Sequence, residues 1–310
     1  MHKQFQPHTT ACFMSHLGLY LCHPDFVRTA HAAIMSGAQQ FQSETKIQAS
    51  ALSGVPVYAP GDDPEYTKPL YIRTDSGVAI IEMVGAMAKS SGKYAQVGTV
   101  RIRQALRAAV SDVESVAILI CSDSPGGTVA GTQQLADEVR AADMLKPTFG
   151  HVEDLCASAA FWTLSQARRL TANSSALVGS LGTYAVVYDT SEKAKIEGVK
   201  VHVLSTGPQK GAFVDGADIR PEQLADAQRT VDDLNKLFKS GVMIGREMSQ
   251  AQADDLFDGR VHIASQAKAV GLIDSVQSFD RTLAQIVAEC TPKHDKEANK
   301  RRMQLAARRA

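Results

Sequence analysis

The sequence predicts an α/β fold with crossover connections, and three observations carry the prediction. From Val78 onward, apolar runs of strand length alternate with stretches of helical periodicity. Val116–Cys121 is apolar without interruption, as expected of a strand buried on both faces. Pro221 opens a long periodic stretch that reaches Glu247, and proline suits a first helical position.

Taken in order, residues 1–50 read as a helical segment in which Asp25 caps an apolar face of Phe26, Val27, Ala30, Ala33 and Ile34. Residues 53–69 hold Pro56, Pro60, Pro64 and Pro69 with Gly54 and Gly61, the composition of a linker. Strands are expected at Val78–Val84, Val116–Cys121, Thr148–Val152, Tyr184–Tyr188 and Val199–Leu204. Helices are expected at Thr99–Val110, Val129–Ala142, Ser158–Ala167 and Ser191–Glu197, and from Pro221. Ser249 with Gln252 has the spacing of a capping box. The stretch from Thr291 to Ala310 is rich in Lys and Arg and poor in apolar residues; it reads as a solvated tail, with nucleic acid or an acidic partner as the alternative use. The chain thus divides into a helical segment and linker (1–70), an α/β domain (71–280) and a basic helix or tail (281–310).

Composition narrows the function classes. At 310 residues and 44% hydrophobic, the chain can bury an ordinary core without a disulfide or metal staple. Lys plus Arg and Asp plus Glu both number 33, so no net field points to nucleic acid or a membrane surface. The five cysteines are odd in number and form no CxxC pair, which argues against a disulfide framework or zinc site and for a reducing, cytoplasmic compartment. Cys121 and Cys156 lie in apolar runs and read as buried, inert thiols. No apolar run reaches the ~18 residues of a membrane span. With no HExxH, Cys/His cluster or P-loop, no metal, nucleotide or other cofactor is expected.

Three turns carry residues with chemical potential. In Asp123-Ser124-Pro125-Gly126-Gly127, two adjacent glycines let the backbone approach a ligand, and their amides can face a developing oxyanion; an ordinary strand-to-helix turn uses the same residues. In Asp154-Leu155-Cys156-Ala157-Ser158-Ala159-Ala160-Phe161-Trp162, a serine among small residues stands at a helix start, where amides are unpaired. The amide of Ala159 is a second oxyanion donor in that reading, and a plain N-cap serine is the alternative. Gly179-Ser180-Leu181-Gly182 is the third turn.

A nucleophilic serine needs a base. His151 is near in sequence but has no evident orienting partner. A lysine serves instead when desolvation strips its proton. Lys210, flanked by Gly207 and Gly211 and following Val199–Leu204, fits if that run is a buried strand; a surface loop lysine is the alternative.

In their order and spacing these motifs resemble the signal peptide peptidase A family of serine peptidases, and within it the phage head protease (protease C) branch of the wider ClpP–crotonase superfamily. The matching stretch runs from Gly77 to Val276: Ser-Pro-Gly-Gly, Ala-Ser-Ala-Ala-Phe-Trp, Gly-Ser-Leu-Gly, Thr-Gly-Pro-Gln-Lys-Gly, Phe257-Asp258-Gly259-Arg260-Val261 and Ala269-Val270-Gly271-Leu272-Ile273-Asp274. His16 to Leu21 adds a less specific match to the phage branch. The resemblance implies a ClpP/crotonase-like fold of repeated ββα units. It also implies Ser158 as nucleophile, Lys210 as general base, Ser180 as the hydroxyl beside the lysine, and Gly126, Gly127 and Ala159 as oxyanion candidates. The short separation of Ser158 and Lys210 suits the short form of the family, in which one domain supplies both.

Where the family often has Gly-Gly-Tyr after the serine, this chain has Ala159-Ala160-Phe161, a change that leaves the amides intact. With no apolar anchor before the domain, the expected substrate shifts from membrane signal peptides to polypeptides such as scaffold, capsid or portal proteins, cleaved in a host cytoplasm or an assembling virion. A cytosolic peptidase degrading peptide remnants is the alternative, and a non-proteolytic crotonase-like or structural head protein a further one. A closed homo-oligomer is expected from the superfamily.

Overall fold

Apolar runs such as Val78–Ile81 and Ala117–Cys121 can be buried only where both faces of a sheet are covered, and they lie at the centre of this fold. The computed structural model describes residues 20–22, 54–91 and 95–291. Its elements run β1 (Tyr20–Cys22), β2 (Gly54–Val57), β3 (Tyr71–Thr74), β4 (Val78–Val84), β5 (Met87–Ala88), β6 (Val97–Gly98), α1 (Thr99–Ser111), β7 (Ala117–Ser124), β8 (Gly126–Thr128), α2 (Thr132–Leu145), β9 (Thr148–Ala157), α3 (Ala159–Leu164), β10 (Arg169–Ala172), β11 (Leu177–Gly179), α4 (Ser191–Ile196), α5 (Pro221–Arg246), α6 (Gln250–Leu256), β12 (Val261–Ile263), α7 (Ala264–Ala269), β13 (Ser275–Val276) and α8 (Phe279–Cys290). Two compact units result. Thr183–Phe238 make up the smaller, and the stretch ending at Gly182 together with the chain from Lys239 makes up the larger.

The larger unit holds a mixed sheet ordered β12-β11-β9-β7-β4-β3-β2, with β10 and β13 branching from β9. Its centre is parallel: β4 pairs with β7, β7 with β9, and β9 with both β10 and β11. Antiparallel pairs close both ends, β2 with β3 and β3 with β4 on one side, β11 with β12 on the other. Ile80, Ile81, Ile118, Leu119 and Ile120 are almost completely buried. Burial of each is worth about 1.5–3 kcal/mol. On one face Val78, Ile80, Ala117, Leu119 and Cys121 pack with Phe149 and with Phe279 and Ile286 of α8. α1 packs against β4, α2 against β9, and the two helices against each other. This is the α/β architecture expected from the alternation of runs.

A small second sheet, ordered β1-β8-β5-β6, is made of strands too short to carry a periodic signal. β8 comes so close to β5 that a Cβ on Gly127 would stand 1.8 Å from the carbonyl oxygen of Met87, so glycine is required there for packing alone.

Several expected elements hold and several move. β4, α1, α4 and α5 coincide with their runs within the usual fraying of helix ends, and Ser249 and Gln252 form the capping box expected of them. The stretch 53–69, expected as linker, contributes β2 to the sheet edge. β9 runs five residues beyond Val152, because a bulge at Ser122/Ser124 lets it keep pairing with β7 while it passes from β10 to β11. Tyr184–Tyr188 and Val199–Leu204 do not form the expected strands. Their valine-rich pattern suits a pleated surface, but a strand also needs a neighbour for its amides and carbonyls, and among the described residues these segments gain no more than an isolated bridge at Tyr184. The helix expected at Phe26–Ile34 lies outside the described residues, as does the basic tail after Thr291.

Candidate active site

Ser158 stands where β9 ends and α3 begins. Its neighbours are small for a steric reason: all six residues of α3 are buried, and so are Cys156 and Ala157. The backbone of Ser158 has φ 54° and ψ −115°, a positive-φ conformation unusual for a residue with a side chain. Strain of this kind costs about 1–3 kcal/mol and persists only where the surroundings impose it. They do: the Ser158 N–H donates to the Gly179 carbonyl at 2.8 Å, and its carbonyl accepts from the Trp162 N–H at 2.9 Å.

The hydroxyl is the informative part. Ser158 is fully buried and occupies the N-cap position, yet its side chain makes no capping bond. The Oγ has no hydrogen-bond partner among the described residues. An ordinary N-cap serine uses its oxygen on the N2 or N3 amide, so the capping alternative does not account for this residue. A buried unpaired hydroxyl is costly, and its place in a strained turn makes Ser158 a candidate functional residue.

Ser180 lies directly beside it. Ala157 and Gly179 are register partners on β9 and β11, so Ser158 and Ser180 are the next residues of adjacent parallel strands. Ser180 is also buried, also at positive φ (52°), and donates its N–H to the Arg260 carbonyl at 2.7 Å. Two strained serines thus sit side by side at the carboxyl ends of parallel strands, the end where open α/β sheets place their ligands.

The glycine turn comes to the same place. β8, with Gly126 and Gly127, packs against α3. Gly126 has φ 92°, and its amide donates to the Ser124 Oγ at 3.2 Å. Ser124 also donates to the Gly85 carbonyl at 2.7 Å; it shapes the turn, a role the sequence motif contained without marking. Ala159 is the first residue of α3, so its amide has no partner within the helix. Beside this turn the Asp123 carboxyl is held above the usual range, first by burial and then by the Asp154 charge. α3 is seated by the last turns of α5. A Cβ on Gly241 would stand 2.1 Å from Trp162 Nε1, one on Gly245 2.4 Å from the Ser165 carbonyl, and the Gln166 amide donates to the Gly241 carbonyl at 2.8 Å.

Lys210 belongs to the smaller unit. It lies in a turn, its N–H donating to the Gly207 carbonyl at 3.2 Å, and it is exposed. The expected burial beside Val199–Leu204 is not found: Leu204 is 96% exposed, and although the Val203 side chain lies against Gly211, Lys210 itself is exposed.

His151, the other candidate base, is held in the core through one ring nitrogen, while its Nε2 is buried with no hydrogen-bond partner among the described residues. It is completely buried in β9, and its Nδ1 lies 2.8 Å from Thr171 Oγ1 and 3.4 Å from Thr282 Oγ1. Its ring meets Phe279 edge-on, with centroids 5.8 Å apart. The sequence hid this partner because Thr171 reaches it only through the β9–β10 register. Burial pushes the imidazole down to about 4, against a smaller opposing effect of Asn173. The unfolded chain therefore takes up a proton near 6.5 that the folded chain refuses until about 4. The stability due to neutral His151 is complete above pH 6.5 and is lost as pH falls from 6.5 through 4, by about 3 kcal/mol. Urea titrations at stepped pH are expected to show this slope in the wild type and a flatter one in His151→Asn; parallel slopes would contradict the assignment. Burial also drives the neighbouring thiols up, Cys156 to about 12 and Cys121 well above its usual value, so neither is a thiolate nucleophile near neutral pH.

Comparison with known proteins gives the arrangement a context. Residues 140–290 match the model of peptidase family S49. A Synechocystis protein named as a protease is 26% identical over 206 residues, covering 66% of this chain and 72% of its own length. Protease 4 of Salmonella typhi is 28% identical over 212 residues, 68% of this chain and 34% of its own length. The head-tail preconnector protein GP5 of Enterobacteria phage P21 is 25% identical over 177 residues, 55% of this chain and 35% of its own length. The chain thus spans only about a third of the last two.

Proposed function

We propose, from the match of residues 140–290 to peptidase family S49 and the likeness to proteins named as proteases, that the chain is a serine endopeptidase in which Ser158 is the nucleophile and Lys210 the general base. The observation that carries the reading is the buried, unpaired Oγ of Ser158 in a strained strand-to-helix turn. In this reading Lys210 in its neutral form takes the hydroxyl proton as Oγ attacks a peptide carbonyl. The oxyanion is met by the amide of Ala159 and by one glycine amide. Engagement of the Gly126 amide by Ser124 favours Gly127 for that part. The leaving amine recovers the proton from Lys210, and water then releases the acyl group from Ser158 by the reverse route. Ser180 holds the lysine amine toward Ser158, a role supported by its position beside the nucleophile.

The finer fold reading is the ClpP/crotonase-like one, supported by the parallel centre and the small second sheet carrying the glycine turn. Two substrate readings have specific support. The phage preconnector relative favours scaffold, capsid or portal proteins as substrates in a host cytoplasm or assembling virion. Protease 4 favours peptide degradation. Lys210 works as a base only once it is desolvated. Its exposure, with Ile196 86% and Leu204 96% exposed in the same unit, supports a closed homo-oligomer as the working form. The purified chain is expected to hydrolyse an unfolded polypeptide such as casein in excess chelator without nucleotide, and scattering of the active fraction should give a multiple of the chain mass. Activity abolished by chelator and restored by a metal would contradict the metal-free dyad, and a fully active monomer would contradict the assembly.

A further inference from the structure

Lys210 reaches its position only through its loop, so whatever fixes that loop fixes the base. Among the described residues of the smaller unit, the side-chain hydrogen bonds that reach the loop from outside it meet at one atom, the carbonyl oxygen of Pro208, two residues before the lysine. The Arg220 guanidinium donates to it, and the Gln223 amide donates to it at 3.4 Å. Arg220 immediately precedes α5 and Gln223 lies in its first turn. Gln223 is 7% exposed, and its side-chain oxygen accepts the Arg220 N–H at 3.1 Å, so the amide is oriented before it meets Pro208. Arg220 is held from the other side by Glu222, its Nε 3.4 Å from the carboxylate. The remaining bonds of the loop are internal: the Ser205 hydroxyl and the Lys210 N–H both donate to the Gly207 carbonyl, at 2.8 and 3.2 Å. Three of the residues around the lysine, Gly207, Pro208 and Gly211, confer turn geometry but no side-chain anchor.

We infer that Arg220 and Gln223 are positioning residues for the general base, clamping Pro208 so that Lys210 is presented at a fixed place. The inference rests on Lys210 being that base. A charge-assisted donor and a buried amide on one carbonyl are a stronger restraint than an exposed loop requires for folding. Misplacing a catalytic group by about 1 Å costs on the order of a hundredfold in rate. The clamp therefore acts on kcat and on the pH dependence, not on substrate affinity.

The test uses the full chain and a fluorogenic peptide, with kcat and KM followed across pH for wild type, Arg220→Ala, Arg220→Lys, Gln223→Ala and Lys210→Ala. Arg220→Ala is expected to lower kcat about tenfold to a hundredfold at unchanged KM and to move the ascending pH limb. Gln223→Ala should act in the same direction, and Arg220→Lys, which keeps a charged donor, should recover most of the loss. A second readout needs no catalysis: in a Ser158→Ala background, a lysine-specific endoprotease should cut after Lys210 several-fold faster once Arg220 is alanine, with the thermal midpoint little changed. If Lys210→Ala is inactive while Arg220→Ala keeps wild-type kcat, pH limb and proteolytic resistance, the clamp is overturned and the dyad stands. If Lys210→Ala retains activity, the dyad reading itself falls and takes the clamp with it.

Discussion

Ser158→Ala is expected to abolish polypeptide hydrolysis, with kcat falling by about 10⁵–10⁶, because the covalent route disappears and only binding and oxyanion stabilisation remain. The fold should hardly notice. The substitution deletes an oxygen that has no hydrogen-bond partner among the described residues, and it leaves the backbone bonds to Gly179 and Trp162 in place. Removing a buried unpaired hydroxyl relieves a desolvation cost, so the variant should be at least as stable as the wild type in a urea titration. Activity and stability thus move in opposite directions, a pattern a packing residue does not produce. A folded variant keeping more than about a hundredth of wild-type turnover would remove Ser158 from the chemistry.

Lys210→Arg and Lys210→Ala should both lose about 10²–10⁴ in kcat. Arginine keeps the charge and length but cannot give up its proton, so a base separates from a mere binding cation in this pair. Because only the neutral amine accepts the Ser158 proton, wild-type activity should rise with pH along one limb, and that limb should vanish in both variants. Lys210 is exposed in a turn and its local bond is made by its backbone, so neither variant should unfold the protein. Near-normal turnover by Lys210→Arg would place the base elsewhere. His151 would be a poor replacement, since its Nδ1 is engaged with Thr171 in the core.

How much of this could be read from the chain divides along physical lines. β4, β7 and α5 announce themselves because burial on both faces of a strand, or along one stripe of a helix, writes a local pattern. The turn at Ser158 was legible because packing this tight admits only small residues, and Ala157-Ser158-Ala159-Ala160 is what remains; the choice of that serine as a nucleophile came from the family resemblance alone. β5, β6 and β8 were not legible: two or three residues hold no period, and their pairing depends on a register that sequence spacing does not fix. The same non-locality accounts for Tyr184–Tyr188 and Val199–Leu204, which have strand composition without a described ladder, and for His151, whose partner arrives from β10. The positive φ of Ser158 and Ser180 had no signal at all, since serine is not a residue that favours it. The Gly127 requirement is half legible: a glycine pair announces close approach, but only the structure identifies the Met87 carbonyl as what it approaches.

In the proposed mechanism one hydroxyl is activated by one lysine, and covalent labelling reads both at once. Wild-type chain, Lys210→Ala and Ser158→Ala would be exposed to a fluorophosphonate and the modified peptide located by mass spectrometry over time. The predicted result is a single phosphonylated serine, Ser158, in the wild type, the same site labelled at least about a hundredfold more slowly in Lys210→Ala, and no label in Ser158→Ala. Label on a different serine, or equal rates at Ser158 with and without Lys210, would contradict it.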